Sequence, residues 1–228
     1  LAECLAGLFL VDMFEPGAPC IYALMPFVSD LRTGAMTGGS GEGAVASAAA
    51  AQLLSDIGLP STVSAGMTDA KIADAQAGYE KGYTVALAAE AGADMINLSV
   101  GMLGSIMVAS PEVLLIDDDM SGAILRSVEG IEVSEEALDL AAIERVVTGD
   151  GHYLGEPATL ARMQTDYVYP ALGDRLSVSD WLAGGGMSIW DRAQDAVARV
   201  LAEPAPDHLS RRAEAAIRAE FPIHLPEG

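Results

Sequence analysis

The feature that most constrains this chain is a cadence in which a short apolar strand, a loop and a helix recur at intervals of roughly 30 to 40 residues. Ile21-Tyr22-Ala23-Leu24-Met25, held between Pro19 and Pro26, reads as a buried strand. Thr62-Val63-Ser64-Ala65-Gly66 and Met95-Ile96-Asn97-Leu98-Ser99 read as the second and third. An alanine-rich helix from about Glu42 to Ile57, closed by Gly58, follows the first, and a helix from about Ile72 to Ala91, stopped by Gly92, follows the second. Ser110 and Pro111 open a helix after the third, as N-cap and first helical residue. Short apolar strands joined by crossover helices call for a parallel α/β sheet, whose chemistry sits in the loops leaving the C-terminal ends of the strands. A barrel needs eight such units, and three leave an edge exposed. The fold expected is therefore α/β: a partial TIM (β/α)8 barrel of about three βα units over residues 1–112, then a helical C-terminal extension packed on it over 113–228. A partner or a further part of the barrel is expected to cover the open edge.

Smaller signals fill in the frame. Residues 2–14 read as a helix with Leu5, Leu8, Phe9 and Met13 on one face. Gly78, Gly82 and Ala86, four apart, are expected to let their helix approach the sheet closely. After Val113 the pattern is helical throughout, with helices expected over 158–170, 188–203 and 207–221. Ser188-Ile189-Trp190-Asp191 is a capping box, and Trp181, Gly184-Gly185-Gly186 and Trp190 suggest a tail docked on a larger body.

The charge balance excludes whole classes. Twelve basic side chains against 33 acidic give −21, and no basic stripe offsets it, so nucleic-acid binding is not expected. Apolar runs stop well short of the ~20 residues a membrane helix needs, so no span is expected. Leu1–Leu10 carries Glu3 and no preceding basic region, which argues against a secretory signal. Cys4 and Cys20 read as reduced, buried thiols of a cytoplasmic protein. The acids of 112–150, including Asp117-Asp118-Asp119, read as a solvated surface, and His152, His208 and His224 as structural or surface residues. Only two lysines occur, Lys71 and Lys81, a bias that fits genome composition more readily than chemistry.

The three loops expected to converge, residues 26–43, 67–76 and 99–110, hold Asp30, Arg32, Glu42, Met67, Thr68, Asp69, Asp74, Gln76, Ser99, Met102 and Met107, with Asn97 just before the third. No histidine or cysteine is among them, so a metal hydrolase is disfavoured, and only Lys71 is there for a Schiff base. Gly34–Gly41 lacks the ending of a P-loop and reads as a flexible substrate loop rather than a phosphate cradle. The acids of Asp69–Lys81 have an alternative role as helix-cap and inter-loop hydrogen-bonding groups.

The segment Asp69–Lys81, with Arg32-Thr33-Gly34-Ala35 before it and Ile131-Glu132-Val133, Gly151-His152-Tyr153-Leu154 and Asp174-Arg175 after it, resembles the trimethylamine methyltransferase family of corrinoid-dependent enzymes. The likeness runs from Leu1 to about Glu203 and is to the C-terminal half of a (β/α)8 barrel. It implies transfer of a methyl group from a tertiary or quaternary amine to the Co(I) of cobalamin carried by a separate corrinoid protein, the cobalt being the nucleophile. Barrel residues would then position and stabilise, which suits loops without a nucleophilic constellation. The sequence has no pyrrolysine, whose place falls at or near Met67, so the likeness is to the pyrrolysine-lacking branch and a quaternary amine such as glycine betaine is preferred over trimethylamine. The residues expected to shape the substrate face are Arg32, Met67, Asp69, Asp74, Gln76, Glu80, Asn97, Ser99 and Met102. For aromatic contact the strand-end loops offer only Tyr22 and Phe27, so aromatics from the other half of the barrel would be needed, and Leu98, Met102, Leu103 and Met107 would form an apolar wall. The resemblance leaves room for a homo-oligomer and implies no activity for this stretch alone. The competing reading is a non-catalytic barrel half that serves as a binding or assembly module.

Overall fold

The structure, a computed structural model, describes residues 1–204 and 208–224. The chain opens with α1 (Ala2–Phe14), then β1 (Tyr22–Leu24), the short strands β2 (Val28–Ser29) and β3 (Met36–Thr37), and α2 (Gly41–Asp56). β4 (Ser61–Ser64), α3 (Ala75–Glu90) and β5 (Met95–Asn97) follow, then β6 (Met102–Leu103), β7 (Val108–Ala109) and α4 (Pro111–Val128). β1, β4 and β5 form one parallel sheet in sequential order, with Ala23, Thr62 and Met95 in register. The expected α/β alternation is thus present as a mixed fold, and no closed barrel occurs among the described residues.

Strand alternation gives the sheet two different faces. Val63 and Ala65 point at α2 and α3, where they pack with Ala50, Ala51, Val85 and Ala88 to form the main core. Thr62 and Ser64 therefore point the other way, and Asn97, in register with Ser64, donates from Nδ2 to Thr62 Oγ1 at 2.8 Å. Asp94 accepts from the Ser61 N–H at 2.8 Å and so pins the start of β4 to β5.

Several expectations are corrected. No residue on the α1 face of Leu5, Leu8, Phe9 and Met13 is fully buried: Leu8 is half-buried, and Phe9 and Met13 are each 65% exposed. Gly34–Gly41 is ordered by the antiparallel β2–β3 pair and by Ser40, whose hydroxyl caps α2 at the Gly43 N–H. α3 begins at Ala75, three residues later than expected, because Asp74 is its N-cap and accepts from Gln76 N and Ala77 N. Its buried face is Ala77, Glu80, Lys81, Thr84, Val85 and Ala88; Gly78 and Gly82 lie off that face, beside open space and Met120 respectively, so they mediate no approach to the sheet. Asp117 is buried and Asp119 accepts the backbone N–H groups of Ala171, Leu172 and Gly173, which leaves only Asp118 of the triplet turned to solvent. Successive residues on a helix diverge in direction, and here two of the three meet protein. Cys4 and Cys20 are free and half-buried rather than buried.

The remaining chain is helical: α5 (Glu135–Leu138), α6 (Leu140–Thr148), α7 (Pro157–Arg162), α8 (Val178–Ala183), α9 (Ile189–Ala202) and α10 (Arg211–Glu220). α7 is much shorter than the helix expected over 158–170, and α10 starts at Arg211; residue 207, the expected start, lies outside the described residues. The capping box is formed, with Ser188 and Asp191 bonded reciprocally. Trp190, partly buried, packs against the cluster of Ala70, Ala77, Leu103 and Val113.

Candidate functional site

The loops after β1, β4 and β5 meet at one end of the sheet and are sewn together. Asp69 Oδ1 accepts the Gly38 N–H at 2.9 Å and the Ser105 hydroxyl. Ser105 N donates to Thr68 O and Gly104 N to Ala70 O, each at 2.7 Å, so the β6–β7 hairpin lies directly on the loop after β4. Helix α3 supplies the other side. Glu80, 6% exposed, accepts from Thr68 Oγ1 at 2.5 Å and from Asp69 N at 2.7 Å through one carboxylate oxygen, and from Gln76 Nε2 at 2.8 Å through the other. The close seat at Gly39 is required: a Cβ there would lie 2.7 Å from Glu80 Cβ.

Beside this network opens a cleft of ≈ 690 Å³ between the β2–β3 hairpin and the first turns of α2 and α3. Its walls carry four carboxylates, Asp30, Glu42, Asp69 and Glu80, and one cation, Arg32. Arg32 is tied to Asp30 through both its backbone and its guanidinium, and the latter, the larger effect, holds the Asp30 carboxyl well below its usual range, at about 2. Tyr79 and Tyr83 line the same cleft with centroids 6.4 Å apart and planes 12° from parallel. The Tyr83 hydroxyl donates to Gly39 O, and burial, then the Glu80 charge, pushes its pKa up. A wall that is acidic and aromatic, with its one cation already paired, suits an organic cation.

The expected site residues separate into groups. Arg32, Asp69 and Glu80 line the cleft, with Gln76 bonded to Glu80. Asp74 caps α3, and Asn97 holds Thr62 on the far sheet face. Met67 is buried against Gly38, Ser99 lies against Gly66, and Met102 sits in the β6–β7 ladder opposite Ala109. The expected apolar wall is not continuous, since Leu103 is buried in a core cluster while Met107 is 82% exposed. Tyr22 is buried and Phe27 exposed, and neither lines the cleft. Tyr79 and Tyr83 do, and the signal was available: Gln76, Tyr79, Glu80 and Tyr83 stand at i, i+3, i+4 and i+7 on one helix face.

Such a strand-end site on a parallel sheet is where an α/β protein keeps its chemistry. The family model for trimethylamine methyltransferase matches residues 1–222, and the chain belongs to that family. Among its relatives is glycine betaine methyltransferase of Desulfitobacterium hafniense, 33% identical over 218 residues, which span 96% of this chain and 45% of the relative. Trimethylamine methyltransferase MttB of Methanosarcina thermophila is 39% identical over 201 residues, 88% of this chain and 41% of the relative. The chain thus spans less than half the length of these curated relatives.

Proposed function

We propose that this chain belongs to an enzyme that moves a methyl group from a cationic methylated amine to the Co(I) cobalamin of a separate corrinoid protein. Membership in the trimethylamine methyltransferase family, with a glycine betaine methyltransferase among the relatives, supports the reaction class. The observation that carries the substrate class is the cleft itself, four carboxylates and two stacked tyrosines against one paired arginine. A quaternary ammonium satisfies both kinds of wall at once, because it offers charge to the carboxylates and a polarised methyl surface to the rings, at about 0.5–2 kcal/mol per ring contact. With no pyrrolysine at or near Met67, a glycine betaine-like quaternary amine is the preferred substrate.

The residues divide the labour. Asp69 and Glu80 set a fixed negative wall whose remaining valences are held by Gly38, Ser105, Thr68 and Gln76, so little reorganisation is needed when a cation arrives. Tyr79 and Tyr83 orient the ammonium. The corrinoid, when presented, supplies the nucleophilic cobalt that accepts the methyl group. We further read the three βα units as part of an eight-stranded barrel, whose inward surface would receive the polar face of Thr62, Ser64 and Asn97. A cytoplasmic location follows from the same reading, and no helix among the described residues is long and apolar enough to cross a membrane.

The test mixes the full-length protein with reduced corrinoid protein and a panel of methylated amines, and follows conversion of Co(I) to methyl-Co(III) by absorbance. Methylation from a quaternary amine, lowered at least tenfold in kcat/KM by Asp69→Ala or Tyr83→Ala with folding intact, is the expected outcome. No methylation from any amine, with an active corrinoid partner, would leave the binding or assembly module as the reading.

A further inference from the structure

One buried ion pair lies outside the cleft and is used by none of the steps above. Lys81 Nζ, on a side chain 2% exposed, stands 2.9 Å from Asp117 Oδ2, on a side chain 3% exposed. Each member also holds a backbone group of a strand-end loop. Lys81 donates to Gly66 O at 2.7 Å, at the exit of β4, and Asp117 accepts from Gly101 N at 2.7 Å, at the exit of β5. Both glycines are left-handed, at φ +84° and +76°, which turns that carbonyl and that N–H inward to the pair. Their loops go on to Thr68 and Asp69 in one case and to Ser105 in the other, the residues that close on each other at the cleft. Helix α3 therefore templates the β4 exit with three neighbouring side chains: Thr84 accepts Gly66 N at 3.0 Å, Lys81 holds Gly66 O, and Glu80 holds Thr68 and Asp69.

A charged pair is a poor way to gain stability, since well-packed apolar residues of similar volume do as well or better. What an apolar pair cannot do is bond two loops at fixed points. We propose that Lys81 and Asp117 are positioning residues: their ion pair fixes the separation of the Gly66 and Gly101 turns, and through them sets Asp69 against Ser105 at the wall of the cleft. The catalytic meaning of that placement rests on the functional reading above, whereas the placement itself does not.

The test uses the full-length protein carrying Lys81→Met together with Asp117→Leu, and separately the near-isosteric Asp117→Asn. In the double variant, hydrogen exchange at the Gly101 and Gly38 amides is expected to accelerate at least tenfold while Val63 in β4 keeps its parental rate. Methyl transfer should lose at least tenfold in kcat with KM changed less than threefold, because the cleft's rings remain while its carboxylate is displaced. Asp117→Asn, which retains an acceptor for Gly101, should recover part of both losses. Parental exchange at Gly101 and Gly38, or acceleration shared equally with Val63, overturns the proposal, as does failure of both variants to fold, which would make the pair a stability element alone. Exchange needs no turnover, so a parent inactive toward every amine would defeat the functional reading and leave the latch still under test.

Discussion

Two regions of this molecule use the same acidic composition in opposite ways. In the α/β layer two acids are withdrawn from water: Glu80 and Asp117 are 6% and 2% exposed, and each accepts hydrogen bonds from two separate segments. In the helical region after α4 the ion pairs lie at the surface, as in Arg145 with Glu156 and Arg162 with Asp166, where one or both partners meet solvent. A buried acid has to be satisfied completely, so it fixes geometry. A surface acid is free to be solvated, and it fixes little. The chain's net charge of −21 thus says less than where each charge is placed.

The largest test of that contrast is Asp117→Ala. It strands the Lys81 ammonium in the core and leaves Gly101 N–H without its acceptor. The expected loss is about 3–5 kcal/mol of stability, measured by denaturant unfolding with unchanged slope. A loss below about 1 kcal/mol, the range of exposed pairs, would erase the distinction between the two regions.

Gly66→Ala is the next in size. The new methyl group would sit 2.6 Å from Ser99 Cα and 2.9 Å from a Val85 methyl, at a φ of +84°. A cost of about 1–3 kcal/mol is expected from the backbone strain alone, with the steric clash added to it. An alanine variant as stable as the parent would mean that the β4 exit is not held by its neighbours. Arg145→Ala supplies the control from the helical region: with the Arg145 side chain 57% exposed, the melting transition should stay within error of the parent.

Much of the fold was legible in the sequence because it follows from short-range patterning. The strands at 22–24 and 95–97 fall inside the apolar runs that announced them, the strand at 61–64 overlaps its run but starts one residue earlier and stops two sooner, and Ser110, Pro111 and Ser188 do at helix starts what their side chains favour. What could not be read was which residues meet across long sequence separations. Asp117 looked solvated because its neighbours are acids, and its burial depends on Lys81, on another helix, and Gly101, in another loop. Lys81 passed as a compositional remnant for the same reason. At the site, Asp69 and Glu80 were flagged from a local motif, whereas Asp74 belongs to the helix cap and Asn97 to the far face of the sheet. Tyr79 and Tyr83 were missed although their helical spacing with Glu80 was in plain view.

The smallest effect sharpens the comparison at its boundary, because Asp30 and Arg32 stand at the cleft yet behave as a surface pair. Arg32 is 87% exposed along its side chain, but two-pronged contact with its guanidinium, aided by its N–H, draws the Asp30 pKa from 3.8 to about 2. A carboxyl whose pKa is lowered on folding adds stability that is complete above the unfolded value and disappears as pH falls through the folded one. The contribution of this pair should therefore be intact above pH 3.8 and lost between there and pH 2, a window that excludes the neutral range. Carbon-detected NMR titration of the Asp30 carboxyl should give a midpoint near 2 in the parent and one returned toward 3.8 in Arg32→Ala, with unfolding at neutral pH little changed. A parental midpoint already at 3.8 would show Arg32 swinging free of Asp30, and the cleft would then present an unpaired cation where a positively charged ligand is proposed to bind.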